Sequence, residues 1–254
     1  MKIRDVYNLI NAFAPYENQE SFDNSGLNIG DMEAEVTGVM LAVDVSLEAV
    51  EQAYQNGCNL LLTHHPIIFR PLANVVESDY VGKVVRKAIS LNVHCLSAHT
   101  NMDKAKGGIN DRLALLLGGV NCYKLLDVDE YATFFEVEKQ PLNEFAAGVS
   151  SILADECVSF IGNHPVKKVA VVGGAGGDYP LINYCIQENA TLVTCELKHH
   201  LARMIEDIKG NFIAVGHFTS EKIFVTICKE LLAGKAPLYV CMQTNPFHSA
   251  FYKE

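Results

Sequence analysis

Short apolar runs alternate with amphipathic stretches along almost the whole chain, and few folds accept that rhythm. "VTGVMLAVDV" at 36–45 is apolar at nearly every position, so a strand there has both faces buried. "SLEAVEQAYQNG" follows with helical spacing, Ser46 placed as its N-cap and Gly57 just past its end. "NLLLT" is the next strand, "DYVGKVVRKAISLN" a helix and "VHCLSAH" a strand. Strands buried on both sides need helices on both sides, which is the α/β class. "TNMDKAKGGIN" reads as a polar loop and "NDRLALLLG" as a helix.

The texture changes near 122–165. "YATFFEVE" has the look of an antiparallel strand, and "PLNEFAAGVSSILAD" of a helix with Pro141 at its start. The alternation then resumes through "VKKVAVVG", "YPLINYCIQENA", "TLVT", "ELKHHLARMIEDIKG", "FIAVG", "SEKIFVTICKELLAG" and "PLYVCM". The expectation is two α/β halves, 1–125 and 126–254, with mixed sheets flanked by helices. The halves also echo each other weakly. "AYQNGCNLLLTHH" and "YCIQENATLVTCELKHH" each deliver a threonine to a strand end with a histidine pair close behind.

Hydrophobic residues make up 49% of the 254, enough to bury a sizeable core. A net charge of −10 with no dense Lys/Arg run disfavours duplex nucleic acid, which needs a basic stripe. "MKIRDVYNLINAF" lacks the apolar core of a signal peptide, and no window approaches a membrane span. The eight cysteines are scattered and never form CxxC. They read as small buried hydrophobes in a reduced, cytoplasmic setting.

The candidate functional residues fall at expected strand ends, where open parallel sheets carry their sites. His64 and His65 end the strand "LLLT". Neighbours on a continuing strand point to opposite faces, but a turn held extended by Pro66 lets both imidazoles reach one side. A solvated polar turn is the plainer reading. In "GHFTSEK", His217 and Glu221 stand four apart, on one face if a helix starts there. The same residues equally suit a capped helix start with Thr219 or Ser220 as cap. Asp103 lies in the loop after a strand, with His99 as a rival ligand in the same stretch. Three imidazoles and two carboxylates suit Zn, Mn, Fe or Ni. A single structural zinc takes four ligands, usually with cysteine, so five N/O donors fit a pair of ions that activates water.

"SFDNSGLNIG", "LLTHHPIIFRPL", "SAHTNMDKAKGGIND", "VTCELKHH" and "GHFTSEK", in that order and at those separations, resemble the YbgI-like, Ngg-interacting-factor family, widely labelled GTP cyclohydrolase 1 type 2. The resemblance spans nearly the whole chain. It implies that His64, His65, Asp103, His217 and Glu221 hold two divalent metal ions per subunit. It also implies two interlinked α/β domains and ring-shaped homohexamers with the metal sites facing an internal cavity. For a GTP cyclohydrolase, water attacks C8 of guanine and opens the imidazole ring, although no guanine-recognition motif is visible here. Where the family has Thr-Gly-Glu, this chain has Thr194-Cys195-Glu196, and a positive φ there would strain the cysteine.

Glu196 and His199 form an ExxH pair that a helix would place on one face, and the resemblance tilts them towards proton transfer. "GGAGGD" at 173–178 suits either a phosphate cradle or, preferably, a tight turn with Asp178 as N-cap. "FDNSG" at 22–26 is a cavity wall or an Asx turn. The expectation is therefore a metal-dependent hydrolase of a small, nucleotide-like substrate. A metal-binding regulatory or scaffold protein without turnover, and a metal-dependent phosphoesterase or nuclease, stand as alternatives.

Overall fold

The consecutive apolar runs become central strands, which is why none of them alternates. The computed structural model describes residues 1–248. In chain order the first unit holds α1 (Ile3–Phe13), β1 (Gly26–Ile29), β2 (Val39–Ala42), α2 (Leu47–Gln55), β3 (Leu60–Thr63), α3 (Tyr80–Ser90), β4 (His94–Ser97) and the short α4 (Thr100–Lys104). The second unit holds α5 (Ile109–Leu116), β5 (Val120–Leu125), β6 (Asp129–Gln140), α6 (Leu142–Leu153), β7 (Ser159–Ile161), β8 (Val166–Val171), α7 (Tyr179–Gln187), β9 (Ala190–Thr194), α8 (His199–Asp207), β10 (Asn211–Ala214) and α9 (His217–Glu221). The chain then returns to the first unit with α10 (Ile223–Leu232) and β11 (Leu238–Val240).

Among the described residues the first sheet has the order β1-β4-β3-β2-β11. β11, β2, β3 and β4 run parallel, and β1 pairs antiparallel with β4. Every residue of β2, β3 and β4 is buried. α2 and α3 cover the sheet with Ala49, Val50, Ala53, Val84, Val85 and Ala88, packed on Met40, Leu61 and Cys95. Ser46 caps α2 by accepting from Ala49 N, as its sequence position predicts.

The second sheet has the order β5-β6-β8-β9-β10-β7 among the described residues. β8, β9 and β10 are parallel, while β5, β6 and β7 add antiparallel edges. Both sheets are therefore mixed and flanked by helices. The chain is an α/β protein, as the alternation predicts.

The division between units differs from the expected one near 125. The first unit is Met1–Gly108 with Phe224–Gln243, and the second is Ile109–Ile223 with the chain from Thr244. Two local causes are visible. Helix α5 belongs to the second sheet, since Thr133 Oγ1 donates to Asp111 Oδ1 (2.7 Å) and Gly173 N to Asn110 Oδ1 (2.7 Å). Strand β11 pairs in parallel with β2, Leu238 opposite Val39, which returns the later chain to the first sheet.

No helix among the described residues is long and apolar enough to cross a membrane. None of the eight cysteines is in a disulfide, and Cys58, Cys95, Cys185, Cys195, Cys228 and Cys241 are buried. Burial pushes the Cys95 thiol up to about 12, so it packs as a hydrophobe.

Candidate metal centre

In the first unit the candidate residues hang from the carboxyl ends of β2, β3 and β4. His64 N and His65 N both donate to Val43 O, at 3.1 and 2.9 Å, and Thr63 Oγ1 donates to His65 O at 2.9 Å. These bonds bend the chain at the strand tip, so the two rings share one side with centroids 4.8 Å apart. The bend that Pro66 suggested is thus held by backbone bonds.

Each imidazole is anchored through Nδ1 by a group that accepts. His64 Nδ1 donates to Ala98 O (3.0 Å), His65 Nδ1 to Asp44 Oδ1 (2.8 Å) and His99 Nδ1 to Asp23 Oδ1 (2.9 Å). With the proton on Nδ1, each Nε2 presents a lone pair, the tautomer a metal ligand needs. One ring nitrogen from each of His64, His65 and His99 lies within 4.8 Å of the others. Asp103 Oδ1 is 3.7 Å from His64 Nε2.

The segment expected to be a polar loop instead forms α4 and buries Thr100, Asn101, Met102 and Asp103. Its polar side chains are answered inside the fold. Asn101 Nδ2 donates to Ala14 O (2.7 Å), and Thr100 Oγ1 and N donate to Asp23 Oδ2 (2.5 and 3.1 Å). Asp23 is the residue of "FDNSG" that organises this region. Burial alone would raise its carboxyl, but the bonds from His99 and Thr100 outweigh that and hold it far below the usual range.

In the second unit His217 and Glu221 lie at either end of α9, as their spacing predicts, with His217 Nε2 3.1 Å from Glu221 Oε1. Two ligands at about 2.1 Å from one ion sit roughly 3.0–3.4 Å apart, so this pair has the spacing of a shared ligand edge. The His64–Asp103 separation of 3.7 Å is slightly wider. A donor set of imidazole nitrogens and buried carboxylates fits borderline divalent ions.

Glu196 departs from its sequence reading. It precedes α8 rather than lying on it, so ExxH is not one helical face here. Its Oε1 instead accepts from His217 Nδ1 at 3.0 Å, the same anchoring that Asp44 and Asp23 provide in the first unit. His199 is exposed at the first position of α8, and its side chain makes no hydrogen bond or ion pair among the described residues. Cys195 does not have a positive φ, so its replacement of glycine brings no backbone strain. Its Sγ lies 3.2 Å from Ser220 Oγ.

"GGAGGD" is a turn. Asp178 caps α7 by accepting from Leu181 N. The amides of Gly173, Gly174 and Gly176 donate to Asn110 Oδ1, Ser220 Oγ and Thr194 Oγ1, so they do not form a phosphate cradle. Gly174 has φ +64, and a Cβ there would overlap Glu221 Oε1.

Asp155 was not legible as a site residue. It is buried, and accepts from Gly216 N, Thr219 Oγ1 (2.7 Å) and Cys157 N (3.0 Å), pinning the start of α9. Burial opposes its charge, but these donors and nearby Lys222 hold the carboxyl below its ordinary value. Its stabilising contribution is complete above the unfolded value of about 4 and is lost as pH falls through the lower folded value. Urea midpoints measured from pH 7 to pH 3 should therefore fall more steeply in wild type than in Asp155→Asn. Parallel curves would remove Asp155 from this role.

Residues 1–246 match the family model described as Duf34/NIF3 (NGG1p interacting factor 3). A Clostridium perfringens protein named GTP cyclohydrolase 1 type 2 homolog is 32% identical over 231 residues, covering 87% of each chain. A Helicobacter pylori protein named GTP cyclohydrolase 1 type 2 is 31% identical over 232 residues, covering 91% of each. The crystal structure of a Staphylococcus aureus protein, 26% identical, superposes with a TM-score of 0.87 over 98% of this chain and 99% of that one. With its fold, its ordered motifs and nearly its full length matched, this chain belongs to the Duf34/NIF3 family.

Proposed function

We propose that the protein is a dinuclear-metal-dependent hydrolase of the GTP cyclohydrolase 1 type 2 type, acting on a small, nucleotide-like substrate. His64, His65, Asp103, His217 and Glu221 are the proposed ligands. The observation that carries the reading is the common anchoring of the imidazoles. His64, His65 and His217 each have Nδ1 tied to an oxygen, which favours the tautomer whose lone pair is on Nε2. A surface turn of solvated histidines has no reason to fix three tautomers alike. A pair of Zn, Fe, Mn or Ni ions, when bound, supplies a water of lowered pKa and positive charge for developing negative charge.

The protein's own groups then orient and hold protons. Asp44 and Glu196 fix the rings of His65 and His217, and any change in their charge alters the basicity of Nε2. Glu196 is favoured for proton handling because its carboxylate is solvent-exposed while bonded to His217. His199, exposed at the start of α8, is the second candidate for proton transfer. The names of the relatives support the activity class, and the resemblance also implies a homohexamer, which light scattering of the purified protein checks.

The decisive experiment counts metals per chain after careful metallation and assays GTP and a panel of phosphoesters. Two ions per chain are expected. His65→Ala and Glu221→Ala should lose metal and turnover while circular dichroism stays unchanged. Fewer than one tightly bound ion would sink the dinuclear centre. Two ions with no turnover on any substrate would favour the regulatory or scaffold reading.

A further inference from the structure

Beside the histidine cluster of the first unit, two loops line an open cavity of about 320 Å³ that no proposed ligand accounts for. Its walls include Phe22, Asp23, Asn24, Phe69, Arg70 and Pro71. The two phenyl rings meet edge to face, centroids 6.2 Å apart and planes at 63°. Arg70 Cζ stands 5.2 Å from the Phe69 centroid. Phe69 also packs against His99, centroids 6.0 Å apart. The loops are joined without help from the phenyls, since Asn24 Nδ2 donates to Ile68 O at 2.6 Å. Phe22 is nonetheless left 52% exposed.

Arg70 is exposed and makes no ion pair or hydrogen bond through its side chain among the described residues. A guanidinium resting on an aromatic ring is oriented, yet its N–H fork stays available to grip a phosphate or carboxylate with two bonds. The carboxylate among the lining residues is already engaged. Asp23 has a fully buried side chain whose charge is met by His99 and Thr100. The cavity thus has an aromatic wall and one exposed cation in its lining, and its volume lies at the lower end of small-molecule sites, about 300–1,000 Å³.

We infer that Phe22, Phe69 and Arg70 form a recognition site for a flat heteroaromatic ring carrying an anionic group, held against His99. The ring lies along the phenyl faces and the anion takes the Arg70 fork. The inference deepens the proposed function and rests on it for the identity of the site as one that receives a substrate. Phosphate and carboxylate share the chemistry that Arg70 reads, so the test must separate them.

Isothermal titration of the metal-loaded full-length protein, repeated after chelation, would use AMP, GMP, adenosine, guanosine, nicotinate and inorganic phosphate. The monophosphates should bind about tenfold or more tighter than either the nucleosides or inorganic phosphate, because ring and anion contribute together. Arg70→Gln should bring the monophosphates down to the nucleoside level and leave the nucleosides unchanged. Phe69→Leu and Phe22→Ala should weaken nucleosides and monophosphates alike. Nicotinate binding that depends on Arg70 and exceeds that of the monophosphates would assign the anion as a carboxylate and support the site.

Monophosphate affinity unchanged in Arg70→Gln, or no binding of any probe to wild type, would overturn the inference. The metal count of Arg70→Gln should equal that of wild type. Absence of turnover with Arg70-dependent binding intact would refute hydrolysis and leave the recognition site standing. Turnover with binding indifferent to all three side chains would do the reverse.

Discussion

Asp23→Ala is expected to cost about 1–3 kcal/mol of stability for each buried donor it strands, the desolvation penalty of an unpaired polar group. The carboxylate accepts from His99 Nδ1, Thr100 N, Thr100 Oγ1 and Ser25 Oγ. Its removal strands donors on α4 and on the β4 end, and no water-exposed route satisfies Thr100, which is buried. Urea denaturation at pH 7 measures the loss. Asp23→Asn is the informative companion, because it keeps the shape and one acceptor oxygen while removing the charge. Its cost should be smaller. The same carboxyl has a strongly depressed folded-state pKa, so its contribution is whole at neutral pH and is lost only in strong acid. Equal denaturation midpoints for wild type and Asp23→Ala would show that the pairing is not a stabilising element.

Gly174→Ala is expected to weaken metal binding by about 10- to 100-fold, the range for disturbing a group that orients a ligand. The added methyl would overlap Glu221 Oε1 and stand 3.3 Å from His217 Nε2. The backbone cannot retreat easily. Gly174 N is held by Ser220 Oγ and Gly174 O by Thr194 Oγ1 and Cys195 N. The left-handed φ of +64 adds a stability cost of about 1–3 kcal/mol for alanine. Gly148→Ala in α6 is the control. A Cβ there meets nothing within 4 Å, and alanine should stabilise that helix by about 0.5–1 kcal/mol. Unchanged metal affinity in Gly174→Ala, measured by competition with a chromogenic chelator, would show that Glu221 has room to shift.

The α/β class and the central strands were legible because they follow from short-range rules. A run such as "LLLT" has no polar face to expose, and an Asp or Ser before an amphipathic stretch caps a helix wherever it sits. The edge strands β1, β5 and β7 carried no such signal. They are short or exposed, β5 especially, and exist because a neighbour offers unpaired backbone groups. The boundary between units was misplaced for a similar reason. Helix α5 is amphipathic in its own right, and only its bonds to β6 and the turn after β8 assign it to the second sheet.

Residue chemistry and spacing were enough to nominate His64, His65, Asp103, His217 and Glu221, since strand ends and an i, i+4 pair are local features. Asp44 and Asp23, which orient His65 and His99, were out of reach, and Glu196 was singled out but not as the partner of His217. Asp44 and Asp23 meet their histidines across 21 and 76 positions, and Glu196 meets His217 across 21. An aspartate in a polar segment looks the same in sequence whether it faces water or a buried imidazole. Local composition and periodicity therefore determined which elements form and which side chains could carry chemistry. Only tertiary structure decided which carboxylate holds which ring, because those pairings depend on loops that the sheets bring together from distant parts of the chain.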